Sequence, residues 1–253
     1  MVSLTQKEQE ARKRICLPLD DLESLHELKE RVRELADYVG LFKIGKGSFT
    51  RFGPESVGIV KDYGANVFLD LKYHDIPNTV RDAARAATDM GVYMFNVHAS
   101  GGLEMMQAAV GGAEEVAFRK NIEVPLVVGV TVLTSLDKQK LNDELGIPGD
   151  VADQVKRLAN LSYNANLDGI VCSAADLEVV RPTMSRNFMY VTPGIKGTTT
   201  PAGEDQKRVF SPRNAIRAGS DILVIGRAIT GQKTPEERQK AAYEIIRDIS
   251  VAL

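Results

Sequence analysis

Cysteine, histidine and surplus charge are all scarce in this chain of 253 residues. Its two cysteines, Cys16 and Cys172, lie in the apolar runs ICLPL and GIVCS. Buried free thiols are therefore expected, rather than a disulfide or a reactive pair. Three histidines and two separated cysteines give no metal-ligand spacing, and no lysine sits in a pyridoxal-phosphate context, so neither metal nor cofactor is expected. The formal net charge is −2, with no long basic run. That argues against a nucleic acid or an anionic membrane as partner. Small phosphorylated ligands remain open, because they need only local positive groups. No apolar stretch approaches the ~20 residues of a membrane span. The charged opening MVSLTQKEQEARKR lacks the apolar core of a secretory signal. The expectation is a soluble, cytoplasmic protein.

What the chain does have is a recurring alternation. Short apolar, β-branched runs fall at 15–20, 39–45, 66–72, 92–98, 124–133, 169–173, 188–192 and 221–226. Segments of helical period lie between them, such as 22–38, 80–90, 103–119 and 151–165. Strands that are apolar on both faces and alternate with helices imply a parallel sheet with crossover helices. Eight such units close naturally into a barrel of ~250 residues, and no Gly-rich dinucleotide turn follows the first strand. The fold class expected is α/β: a single (β/α)₈ TIM barrel over 1–253, with 1–14 as a short N-terminal helical extension. The last helix announces its start through Thr234 as cap, Pro235 in the first turn, and Glu236 and Glu237 facing the dipole. Pro18 removes a ladder donor from the first strand, where a local bulge is expected.

Chemistry-bearing residues gather at one end of these runs. Read toward their C-termini, the strands finish on Asp20, Lys43, Asp70 with Lys72, His98, Thr131 with Thr134, Ser173, Pro193 with Gly194, and Gly226 with Arg227. In a parallel barrel those ends share the rim where active sites are built. Asp70 and Lys72, two apart on a strand, should project together into the mouth. Charges there need partners, so an ion pair of purely structural purpose is one reading and a catalytic array another. Asp75 precedes an Ile-Pro helix start and could simply cap it. Lys43 could be a snorkelling lysine. Gly226-Arg227 suits a phosphate, by close backbone approach and a guanidinium. The polar segment 194–210 has the length of a lid or binding loop, with Gln206 as its ligand contact.

The run DLKYHDIPNT at 70–79 resembles the signature of the orotidine 5′-monophosphate decarboxylases, and the resemblance extends from Ile15 to Thr230. Supporting blocks are PLD ending at Asp20, FKIG around Lys43, NVHASGG at 96–102, VTVLTS at 130–135, VTPGIK at 191–196, DQKR at 205–208 and IGRAIT at 225–230. The resemblance implies conversion of OMP to UMP and CO₂ in de novo pyrimidine biosynthesis, without a cofactor. It assigns Lys43, Asp70, Lys72 and Asp75 to a charged catalytic array, with Lys72 protonating a C6 carbanion. It also implies a homodimer, in which Asp75 and Thr79 reach the partner's site. Asp20 and Thr79 would bind the ribose, Thr134 and Pro193 the pyrimidine, and Gln206, Gly226 and Arg227 the phosphate. Two departures stand out: Pro18 where relatives tend to carry a small residue, and Lys196 where many carry Arg. A metal-dependent sugar-phosphate decarboxylase or aldolase shares the bare D-x-K-x-x-D and is the alternative enzyme. A non-catalytic sensor of nucleotide phosphate is the alternative of another class.

Overall fold

Eight apolar runs become eight parallel strands, each hydrogen-bonded to the next, and the last pairs with the first. The computed structural model describes residues 3–184, 187–195 and 210–253. The strands are β1 (Ile15–Pro18), β2 (Leu41–Gly45), β3 (Asn66–Tyr73), β4 (Met94–His98), β5 (Leu126–Val130), β6 (Gly169–Val171), β7 (Met189–Thr192) and β8 (Ile222–Val224). Helices cover the outside, among them Leu25–Leu35, Pro77–Asp89, Leu103–Lys120, Val151–Asn164 and Pro235–Ser250. The closed α/β barrel expected from the alternation is the observed architecture.

Strand alternation divides the core into two layers. Cys16, Leu41, Phe68, Met94, Val128, Val191 and Ile222 point inward and fill the barrel. Neighbours on the opposite faces, such as Leu17, Phe42, Leu69, Phe95 and Val127, pack beneath the helices. A period of two then fixes what stands above the inner layer. Lys43 follows Leu41, Asp70 follows Phe68, and Asn96 follows Met94, so the upper layer turns from apolar to polar on three adjacent strands. Both cysteines are buried and free, as the sequence led us to expect.

The far rim is secured differently. Asp168 and Asp221 stand just before β6 and β8. Their carboxylates accept the backbone N–H groups of Val127 at 2.7 Å and Tyr190 at 2.9 Å on the preceding strands. The helix Gln6–Lys13, started by a capping box between Thr5 and Glu8, packs against Pro235–Ser250. Its Arg12 donates to the carbonyls of Ala36 and Val39 at 2.8 and 3.0 Å. The helical extension expected at the N-terminus is therefore a docked helix.

Two local expectations need correcting. β1 runs in unbroken register with β2 through Pro18↔Lys43, so no bulge forms at the proline. The Cys16 carbonyl accepts from Ile225 on the β8 side, and alternation turns the Pro18 nitrogen to that same side. There β8 has already ended at Val224, and no ladder donor is lost. The irregularity lies in β3 instead. Leu69 pairs with Phe95 and Tyr73 with Val97, so residues 70–72 stand opposite Asn96 alone. Lys72 takes a left-handed backbone there, with φ of 51°. The run 124–133 is strand only over its middle. Among the described residues no helix is long and apolar enough to cross a membrane.

Candidate active site

Four charged side chains of alternating sign line up at the mouth of the barrel. Asp20 Oδ2 lies 2.7 Å from Lys43 Nζ, which lies 3.2 Å from Asp70 Oδ2; Asp70 Oδ1 lies 2.5 Å from Lys72 Nζ. Lys43 and Asp70 are buried at 7% and 9% exposure, whereas Asp20 is open to solvent. Burial opposes both inner charges, yet the row reverses that preference. Burial pushes the Asp70 carboxyl up, but the fields of Lys43 and Lys72, with hydrogen bonds from Lys72 and Asn96, hold it below the usual range. Burial pushes the Lys43 ammonium down, but Asp70 and Asp20 together hold it above its ordinary value. Both partners thus stay ionised.

Two further residues make this row possible. A side chain at position 45 would collide with the Asp20 carboxylate and come within 3.0 Å of Lys43 Nζ, so Gly45 leaves room for that pair. Asn96 is buried at 1% exposure. Its Nδ2 donates to Asp70 Oδ1 at 2.7 Å, and its Oδ1 accepts the Lys72 backbone N–H at 2.7 Å. Neither residue was singled out from the sequence. Inward alternation on β4, read back two places from His98, was the signal available for Asn96. Asp70 and Lys72 do meet at the mouth as expected, but through the bulge and the left-handed Lys72 rather than by plain strand alternation.

Beside the row opens a cavity of about 210 Å³, lined by Lys43, Asp70 and Lys72 on one side. Val130, Val132, Thr134, Cys172 and Pro193 are among the residues lining the rest. Thr134 and Pro193 are thus brought to the charged row. Gly226 stands at the end of β8, where a Cβ would come 3.0 Å from Pro18 Cγ. Arg227 follows it, exposed, at the start of the short helix Arg227–Thr230. Gln206, Lys196 and most of the segment 194–210 lie outside the described residues. Asp75 and Thr79 are exposed; Asp75 Oδ1 accepts the N–H of Ile76 at 2.7 Å, and Thr79 sits in the first turn of Pro77–Asp89. Among the described residues, no ion pair joins Asp75 to the row within this single chain. His98 closes the flank, its ring 5.4 Å from that of His74. Burial, with His74, Lys46 and Lys72 nearby, pushes its pKa down to about 4. Among the described residues no three His, Cys, Asp or Glu side chains gather as a metal site.

The model of the orotidine 5′-phosphate decarboxylase / HUMPS family matches residues 13–242. The orotidine 5′-phosphate decarboxylase of Syntrophus aciditrophicus is 45% identical over 249 residues, covering 98% of each chain. That of Aliivibrio fischeri is 50% identical over 197 residues, covering 77% of this chain and 81% of its own. The crystal structure of orotidine 5′-phosphate decarboxylase from Lactobacillus acidophilus superposes with a TM-score of 0.80 at 31% identity, covering 93% of this chain and 98% of that one.

Proposed function

This chain belongs to the orotidine 5′-phosphate decarboxylase / HUMPS family, and we infer from that membership and from the rim geometry that it converts orotidine 5′-phosphate to UMP and CO₂. The observation that carries the reading is the row Asp20–Lys43–Asp70–Lys72 beside a small, largely apolar cavity. In the reaction the bond from C6 to the carboxylate breaks, and its electron pair stays on C6. CO₂ leaves, and Lys72 Nζ delivers a proton to the carbon. Solvent later returns the proton to Lys72. Fixed charges aimed at the developing anion do the stabilising, in a site whose dipoles need not reorganise. Asp70, flanked by two ammonium groups, keeps Lys72 Nζ aimed. It lies beside the departing carboxylate in this reading.

The remaining contacts follow the chemistry of the nucleotide. Thr134 hydrogen-bonds the pyrimidine and Pro193 lines its pocket. Asp20 binds the ribose, and Gly226 and Arg227, with Gln206, take the phosphate. Asp75 and Thr79 complete the site of a second subunit, with Thr79 at its ribose. Their exposure, and the 66% exposure of the apolar Ile76 between them, supports a homodimer with shared sites. The chain needs no cofactor for this reaction and acts on a small molecule rather than on nucleic acid or membrane. A cytoplasmic setting suits such a step. The alternative metal-dependent enzyme is disfavoured because two ammonium groups face the Asp70 carboxylate, and their field repels a divalent cation.

One assay tests the reading: loss of the orotate absorbance on mixing the protein with orotidine 5′-phosphate in excess EDTA. Steady loss with UMP as product is expected. A spectrum unchanged both with and without EDTA overturns the assignment, and loss of absorbance only without EDTA returns a metal-dependent reaction.

A further inference from the structure

The block NVHASGG has a member that the proposed reaction leaves unexplained, and its surroundings give it a task. Lys72 carries the reacting proton in the reading above, and this inference rests on that reading. Yet the Lys72 backbone is left-handed, with φ of 51°. A residue other than glycine pays roughly 1–2 kcal/mol to adopt that conformation. The conformation arises where three residues of β3 stand opposite one of β4, which frees the Lys72 N–H from the ladder. The residue opposite is Asn96.

We propose that Asn96 is the positioning residue of this site, one buried amide that clamps the Lys72 backbone and the Asp70 carboxylate to each other. Its two ends act on different elements of the same pair. The side-chain carbonyl replaces the ladder acceptor that the bulge removed, at 2.7 Å from the Lys72 nitrogen. The amide N–H donates to Asp70 Oδ1 at 2.7 Å, the same oxygen that meets Lys72 Nζ. Asp70 is thereby held with Oδ1 toward Lys72 and Oδ2 toward Lys43. At 1% exposure no water competes for either bond. Without the clamp the carboxylate can rotate and the Lys72 backbone can relax toward extended geometry, drawing the ammonium away from the reacting carbon. Asn96 touches no reacting atom itself; it acts through Lys72 and Asp70.

Two variants test the clamp. Asn96→Ala removes both bonds. Its kcat, corrected for the folded fraction, is expected to fall by roughly 10²-fold with little change in KM, the scale of a misplaced catalytic group. Asn96→Asp keeps the shape and the acceptor but replaces the donor. While protonated, the introduced carboxyl donates to Asp70 as the amide did; once ionised, it repels Asp70. Its kcat is expected to approach that of the parent at low pH and to fall as pH rises, a limb absent from the parent profile. A purely structural asparagine would lower stability and leave both the corrected kcat and the pH profile unchanged, and that result overturns the proposal. A readout without substrate separates this from the choice of reaction. The ¹³C titration of the Asp70 carboxyl should move upward in Asn96→Ala whatever the protein decarboxylates, and an unmoved titration rejects the clamp even if turnover is lost.

Discussion

At the scale of single residues, the site is a problem in keeping charge where water is scarce. Lys43 and Asp70 are nearly buried, and each remains ionised because the other, with Asp20 and Lys72, outweighs its desolvation. Removing an end of the row should therefore be tolerated better than removing a middle. Lys72→Ala leaves Asp70 with Lys43 and Asn96, so the fold and UMP binding should persist while kcat falls by roughly 10³-fold or more. A near-normal kcat would refute Lys72 as proton donor. His98 makes a pH prediction. Its folded pKa is lowered from 6.5 to about 4 by burial, His74, Lys46 and Lys72, against the opposing pull of Asp70. Between those values the unfolded chain binds the extra proton, so the stability linked to His98 is complete above pH 6.5 and is lost as pH falls toward 4. The urea midpoint of His98→Asn should accordingly drop less between pH 7 and pH 5 than that of the parent. Equal drops would clear His98 of the effect.

Elements show where the sequence speaks and where it is silent. The start of the last helix was legible in its cap, for Thr234 Oγ1 accepts the Glu237 N–H at 3.2 Å; the structure adds the return bond, in which the Glu237 carboxylate accepts from Thr234 N at 3.1 Å. Thr234→Ala should lower the unfolding free energy by about 1 kcal/mol, read from urea denaturation, with kcat unchanged. Strand positions were legible because both faces are apolar, and alternation correctly sent Asp70 into the mouth. The β3 bulge was not legible. It contains Asp-Leu-Lys and no glycine, so composition gave no warning that the register slips or that Lys72 turns left-handed. Pro18 gave the opposite error, since a missing N–H matters only where a neighbouring strand is still present to receive it. The short helices Lys46–Phe52 and Glu55–Asp62 escaped notice because Gly53-Pro54 interrupts any common period.

On the scale of the whole molecule, the two rims divide the labour. One carries the charged row and the cavity; the other is tied by Asp168, Asp221 and the N-terminal helix. Asp75 and Thr79 were assigned from family resemblance alone, since geometry within one chain leaves both exposed and apart from the row. If Asp75 serves the partner, two dead variants should cure each other. Mixing Lys72→Ala with Asp75→Asn under exchange conditions creates dimers with one intact site, and about a quarter of parental activity should return, as two-fold symmetry dictates. Two variants that stay inactive together would place Asp75 in its own chain's site.

Pro18 ends the first strand and Gly226 stands just past the last, yet the ring of one presses where a methyl of the other would go, at 3.0 Å. The two positions are consequently coupled in packing. With proline at 18 a side chain at 226 must push the ring by a few tenths of an ångström, whereas a smaller residue at 18 removes that contact. Gly226→Ala is therefore expected to cost less stability when residue 18 is also reduced to alanine, a coupling that a double-mutant cycle reads directly.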